Sequence, residues 1–416
     1  MSGKRANGEG SIFPYRNGGY AAYVWVTTPA GRRQRKYVYG KTREIVHDKW
    51  LKLHQQSARG PVVTAVPKLS AYLADWLRDV VQPGLAPATA ANYEMFVRLY
   101  ITPDLGKRPV DKLTIREVQT WLNGLRVRCT CCTQGKDARR AEDKRRCCAV
   151  GKCCRQLPSE WTVHQAWTVL CSGLSNAVRD EVVPRNVASL VRVPVPRTRK
   201  PRPWTVDEAR RFLESARNGR DPLYVAYALI LTLGLRRGEV LGLSWDDVDL
   251  EATELVISWQ LQRVKGSLLR RQTKTASSDA PLPLPAPCIQ ALREHRERQD
   301  DWKKVAGDAW QDKRRLVVSS RYGSPVDPRG FNRAFTARCL AAGVPVITVH
   351  STRRTCASLL VALDVHPRVA MQILRHSQIA VTMNVYSEVS SKETGEALRR
   401  LGEHLGDEAG EVNEAC

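Results

Sequence analysis

Between residues 350 and 386 the chain brings His350, Arg353, Arg354, His376 and Tyr386 into one stretch. His350 and Arg353 lie three apart, so on a helix they share a face and can reach one ligand. His376 closes a run that opens on Pro367, a favoured first-turn residue, and Tyr386 comes ten residues after it. Arginine offers a planar fork of donors that fits phosphate oxygens, and imidazole exchanges a proton near neutral pH. A phenol titrates near pH 10 unperturbed, and a positive pocket lowers that value towards nucleophilic use. Taken singly, each residue suits a helical core with incidental charges. Together they are the equipment for attack on a phosphodiester.

Such groups need rigid carriers, and the chain supplies helical runs around them. Thr205 with Glu208 reads as a capping box ahead of an amphipathic helix. Asp221-Pro222 opens the strongly apolar LYVAYALILTLGL, which must be buried. Strand signals follow in ELVISW, in runs on either side of a Lys265-Gly266 turn, and in APLPLP. Upstream, from Lys68, apolar residues recur at helical spacing (Leu69, Tyr72, Leu73, Trp76, Leu77, Val80), and four or five short helices make a bundle. The first sixty residues read instead as three strands and a helix capped by Thr42, with turns near 17–19 and 30–31. Arg32, Arg33, Arg35 and Lys36 cluster at the second turn, suiting either a solvated basic hairpin or phosphate contact. Proline-containing linkers at 59–67 and 191–203 separate the three parts, and the second carries Arg197, Arg199 and Lys200, which could lie along a DNA backbone.

The chain has 416 residues, enough for two or three domains, and a hydrophobic share of 43%. Its net charge of +24 calls for an anionic partner, with nucleic acid and acidic membrane the obvious candidates. Membrane is the weaker one, because no apolar run reaches the roughly 18 residues of a spanning helix. The N-terminal MSGKRANGEGSIF lacks the apolar segment of a signal peptide, so a cytoplasmic protein with reduced thiols is expected.

The spacing H-x-x-R, then a histidine in a short turn, then tyrosine about ten residues on resembles the C-terminal signature of the tyrosine recombinase (phage integrase) family. A second motif is present in full: G-L-R-x-x-E-x-x-x-L-x-W-x-D, as Gly234, Leu235, Arg236, Glu239, Leu243, Trp245 and Asp247. Gly8-Glu9-Gly10-Ser11-Ile12 resembles the opening of the family's arm-binding domain, and Thr89, Tyr93, Ile101, Pro103, Leu105 and Gly106 match its core-binding domain. The resemblance implies a multidomain fold: a small α+β domain, an all-α core-binding domain, and a mixed, mainly α catalytic domain with a small antiparallel sheet. Expected boundaries are 1–60 for arm-type DNA binding, 66–192 for the bundle, 203–405 for the catalytic domain and 406–416 for an acidic tail. Two departures stand out: Ser351-Thr352 interrupts the usual H-D-L-R-H-T, and Arg375 replaces the glycine of L-G-H-S, losing backbone freedom but offering a phosphate contact.

By this resemblance Arg236, Lys274, His350, Arg353, His376 and Tyr386 form the catalytic set, with Glu239 a supporting carboxylate. Lys274 opens Lys274-Thr275-Ala276-Ser277-Ser278, the setting K-T-x-x-S, although Asp279 stands where a basic residue is usual, and Lys265 is the fallback. The implied enzyme is a site-specific recombinase that cuts and rejoins double-stranded DNA through a 3′-phosphotyrosyl bond, to integrate or excise a phage or integrative element. It would need no cofactor for catalysis, act as four protomers on attachment sites, and could answer to an excision accessory protein. A type IB topoisomerase shares the chemistry, and a non-catalytic DNA-binding regulator shares the layout. After Tyr386, Leu398, Leu401 and Leu405 fall in helical step, for docking on the same protomer or on a neighbour.

Residues 127–158 stand outside the family pattern. Cysteines at 129, 131, 132, 147, 148, 153 and 154 crowd a basic segment with little other apolar material. A segment like that cannot hold itself together by burial. Four thiolates from its two ends could bind structural zinc, and Cys129, Cys132, Cys148 and Cys153 are the expected ligands. A redox-sensitive loop and a disordered insert are the competing readings.

Overall fold

Strand pairing near the start of the chain follows from alternation. In the computed structural model, residues 12–16, 18–28, 31–60, 62, 66–196, 202–273 and 281–375 are described, with isolated positions beyond. They fall into two units, Met1–Arg197 and Thr198–Cys416. The first opens with the antiparallel meander β1 (Phe13–Tyr15), β2 (Gly19–Thr27) and β3 (Arg33–Gly40). β2 and β3 pair from Tyr20↔Gly40 to Thr27↔Arg33. Period two sends Ala22, Val24 and Val26 to one face, where they pack on Val46, Trp50 and Leu53 of α1 (Arg43–Arg59). Thr42 caps α1 by accepting a hydrogen bond from the Ile45 N–H.

The helical part of the same unit departs from simple periodicity at one point. Its helices are α2 (Leu69–Trp76), α3 (Pro87–Phe96), α4 (Ile115–Val127) and α5 (Glu160–Arg179). Their shared core includes Leu69, Leu73, Trp121, Leu122, Leu170 and Leu174. The expected inward set ended on Val80, yet Val80 is 44% exposed and Val81 only 2%. A π-turn over Leu77–Val81 is the cause: the Gln82 N–H reaches back five residues to the Leu77 carbonyl. The extra residue in that turn advances the inward face by one position. A second π-turn, Val97–Ile101, follows α3 and delivers Val97 and Ile101 to the core.

The second unit is mainly helical, as expected. Thr205 and Glu208 form a capping box that starts α6 (Val206–Asn218). The apolar α7 (Tyr224–Thr232) is buried along its length, with Tyr227 meeting Phe212, Phe331 and Phe335. After α8 (Arg237–Gly242) come β4 (Val248–Asp249) and β5 (Glu254–Leu255), which join β8 (Leu282–Pro283) in a small antiparallel sheet. β6 (Trp259–Val264) and β7 (Ser267–Gln272) form a separate hairpin. Both its turn residues, Lys265 and Gly266, have positive φ (46° and 92°), the I′ geometry that suits strand twist. Helices α9 (Ala286–Ala306), α10 (Pro328–Ala341), α11 (Val349–Ala362) and α12 (Pro367–Leu374) complete the unit. Trp204, at its start, donates its backbone N–H to Thr355 Oγ1 on α11, fixing the helix that carries His350 and Arg353.

The shifted register has a direct consequence. Val81→Ala should destabilise the protein by about 2 kcal/mol in urea unfolding, whereas Val80→Ala should stay within about 0.5 kcal/mol. The reverse order would mean that the helix continues without a π-turn.

Candidate active site

The site is assembled where α7 ends. There the chain turns at Gly234, φ +61°, and a Cβ at that position would sit 2.6 Å from Leu374 Cδ2. Only glycine fits both the backbone and the space. The turn places Arg236 at the N-cap of α8 and Glu239 in its first turn. Glu239 then accepts three hydrogen bonds: from the Arg236 N–H (2.8 Å) and Nη1 (2.7 Å), and from Arg375 Nη2 (2.7 Å). Arg353, one helical turn after His350 on α11, donates from Nη1 to the Gly234 carbonyl at 2.7 Å. Arg236, Glu239, His350, Arg353 and Arg375 are thereby brought together.

Their electrostatics follow from burial and neighbours. Burial alone would raise the Glu239 carboxyl, but Arg375 and Arg236 outweigh it and hold the group below the usual carboxylate range. Burial, followed by the nearby Arg236 charge, presses the Arg353 guanidinium downwards, and it stays cationic at neutral pH. His350 is lowered from 6.5 by partial burial and then by Arg353 and Arg236, so at pH 7 its imidazole is neutral. Three guanidiniums thus face one carboxylate. Among the described residues, no acceptor meets Nε or Nη1 of Arg375.

Arg375 is a residue whose role sequence reasoning missed. Its expected gain was a phosphate contact, whereas its side chain is 3% exposed and paired with Glu239. Its backbone lies in the left-handed region, φ 48°, ψ 51°, where the family motif has glycine. The signal that could have found it was a long cation at a helix end otherwise kept for glycine. Lys274, His376 and Tyr386 lie outside the described residues, as do Arg197, Arg199, Lys200 and nearly all of the tail. Lys265 is at the tip of the β6–β7 turn, and Arg237 is exposed and donates to Asn332 Oδ1.

The basic cluster near the second turn divides by strand face. Arg33 and Arg35 stand on the open face of the sheet, their guanidiniums 5.4 and 4.8 Å from the Trp25 ring centroid. Exposed Tyr37 and Tyr39 continue that face. Lys36 alternates to the other side, where burial lowers its pKa. Arg32 is exposed beside the turn, its N–H donating to Thr28 Oγ1.

The insert is ordered around sulfur. Thr130 donates from both N–H and Oγ1 to the Gln156 carbonyl, closing the two ends. Asp137, 0% exposed, accepts from the N–H groups of Arg146, Cys147 and Ala149. Against burial, which would raise it, these amides hold its carboxyl at about 2. The sulfurs of Cys129, Cys132, Cys148 and Cys153 all lie within 4.8 Å of one another.

A helical unit with small antiparallel sheets, carrying arginines on the turn after an apolar helix and on an H-x-x-R helix, is the tyrosine recombinase catalytic architecture. A solved Tn1549 transposon integrase, in complex with transposon right end DNA, has this fold: TM-score 0.61 at 18% identity, covering 80% of this chain and 99% of that one. The Phage integrase family pattern fits residues 204–393, and that of the phage integrase N-terminal SAM-like domain fits residues 68–126. The chain belongs to the phage integrase family of tyrosine recombinases, and it is a site-specific recombinase enzyme. Relatives include a tyrosine recombinase XerC-like protein of Caldanaerobacter subterraneus, 25% identical over 92% of this chain and 96% of its own length. An integrase of Streptomyces ambofaciens is 26% identical over 93% and 94%.

Arg375→Ala would leave the buried Glu239 with a single cationic partner. Breaking one arm of a buried charge network should lower stability by about 3 kcal/mol in denaturant unfolding. A change under about 0.5 kcal/mol would show that the pair is not stabilising.

Proposed function

We propose that this integrase cuts and rejoins double-stranded DNA at attachment sites by way of a 3′-phosphotyrosyl link formed on Tyr386. The observation that supports this most is the gathering of the Arg236, Arg353 and Arg375 guanidiniums around one buried carboxylate, which suits the binding of a phosphate. In-line attack by the phenolate forms a bond to phosphorus and breaks the bond to the 5′-oxygen, building charge on two non-bridging oxygens. Arg236, Arg353 and His376 stabilise that charge. Lys274 gives a proton to the departing 5′-oxygen, and His350, neutral at pH 7, takes the proton of the tyrosine. Glu239 keeps Arg236 aimed. Each step exchanges one phosphoester for another, so resealing needs no ATP.

In this reading residues 1–60 bind arm-type DNA through the Arg33, Arg35 and Trp25 face, with Arg32 beside it and Lys36 contributing from the other side of β3. Residues 66–192 clamp the core site with the Arg197, Arg199 and Lys200 linker on the backbone, and 203–405 perform the chemistry. Four protomers act together on a pair of sites in the bacterial cytoplasm or nucleoid, and an excision accessory protein sets direction. Among the described residues, no helix is long and apolar enough to cross a membrane. Zinc held by the insert through Cys129, Cys132, Cys148 and Cys153 is structural and outside the chemistry.

A nicked suicide substrate from the element's own junction tests the chemistry. A covalent protein–DNA band should form on a denaturing gel and vanish in Tyr386→Phe; a band that persists would name another nucleophile. Arg236→Ala and Arg353→Ala should each slow capture by on the order of a hundredfold. Capture should also slow as pH is lowered through a value under the ordinary histidine 6.5, where His350 becomes charged. His350→Gln should flatten that acid limb.

A further inference from the structure

The four sulfurs expected to bind zinc are only half of what the insert assembles. A second quartet, Cys131, Cys147, Cys148 and Cys154, also has all its sulfurs within 4.8 Å of one another. The two quartets share one member, Cys148, and between them use all seven cysteines of the insert. Four sulfurs at about 2.3 Å from a tetrahedral zinc lie about 3.8 Å from each other. Within the first quartet two edges are 3.9 Å (Cys129–Cys148) and 3.6 Å (Cys132–Cys153). Within the second they are 3.8 Å (Cys131–Cys147) and 3.8 Å (Cys148–Cys154). Cys129 and Cys154, one from each quartet, approach to 3.8 Å, as ligands of two adjacent centres joined at Cys148 would.

The adjacent cysteines at 131/132, 147/148 and 153/154 have a use here. Two neighbouring cysteines rarely serve one ion with ease, and the structure sends two of the three adjacent pairs in different directions. Cys131 joins the second quartet and Cys132 the first; Cys154 joins the second and Cys153 the first. Only Cys148, beside Cys147, belongs to both. Asp137 anchors the backbone at Cys147 and Ala149, on both sides of the shared residue. All seven cysteines are free thiols, so disulfides do not account for the clustering.

We infer that the insert is a two-metal thiolate cluster, binding two zinc ions through seven cysteines with the Cys148 sulfur bridging them. This rests on the structural-zinc reading of the insert and extends it from one ion to two. Two zinc ions leave a net negative charge on seven thiolates, and Lys136, Arg139, Arg140, Arg145, Arg146 and Lys152 surround them in the sequence. Each ion displaces thiol protons as it binds. The gain is a rigid basic platform where apolar burial is unable to form one.

The full chain, purified without chelator, should carry two zinc ions per chain by native mass spectrometry and elemental analysis. Cys171→Ser, outside the cluster, should keep both, and Cys129→Ser should fall to about one. Cobalt(II) titrated into the metal-free chain distinguishes a shared thiolate from two separate sites. Magnetic coupling through Cys148 should make the paramagnetic resonance signal rise through the first equivalent and fall through the second. One metal per chain would overturn the two-metal inference and leave single-zinc binding intact. No metal would overturn both. Two cobalt ions with a signal that rises through both equivalents would overturn the bridge.

Discussion

The catalytic unit depends on one carboxylate. Glu239 is 3% exposed, and it ties the turn after α7 to the end of α12 by accepting from Arg236 and Arg375. A buried anion without such partners would be several kcal/mol less stable, so the two arginines and the glutamate must be placed together or not at all. Arg375 takes a left-handed backbone at a penalty of roughly 1–2 kcal/mol relative to glycine. The ion pair to Glu239 offsets it. Cations are thereby locked at a position where the family motif has a residue with no side chain.

That arrangement concentrates positive charge among the described residues of the site. Glu239 pairs with Arg236 and Arg375, and the Gly234 carbonyl accepts from Arg353 and orients it. Gly234 serves twice: its backbone turn delivers Arg236, and its oxygen fixes Arg353. The same economy marks the N-terminal sheet, where Arg33 and Arg35 lie over Trp25 on the open face while the opposite face packs on α1. Aromatic support orders long cations at little entropic cost and leaves their donors outward.

Much of this was legible in the sequence. Capping residues Thr42 and Thr205 start helices where the pattern places them, and G-L-R-x-x-E announces the Arg236–Glu239 pair. What sequence could not show has physical causes. A π-turn leaves no local signature, so Val80 was expected where Val81 sits. Arg375 as the partner of Glu239 joins positions 136 apart in sequence, and no spacing rule spans that distance. The cysteine spacing suggested four ligands, but the way two of the three adjacent pairs split between two quartets is set by backbone turns held by Asp137 and Thr130.

The central claim is that Glu239 acts by holding cations for a phosphodiester it never touches. Glu239→Gln keeps the shape and removes the charge, so it separates aim from binding. Single-turnover capture of a nicked attachment-site duplex, measured beside its equilibrium binding, is the most direct test. Capture should slow by at least tenfold while affinity for the duplex stays within about twofold, since most phosphate contacts lie elsewhere. Capture at the wild-type rate would contradict the account.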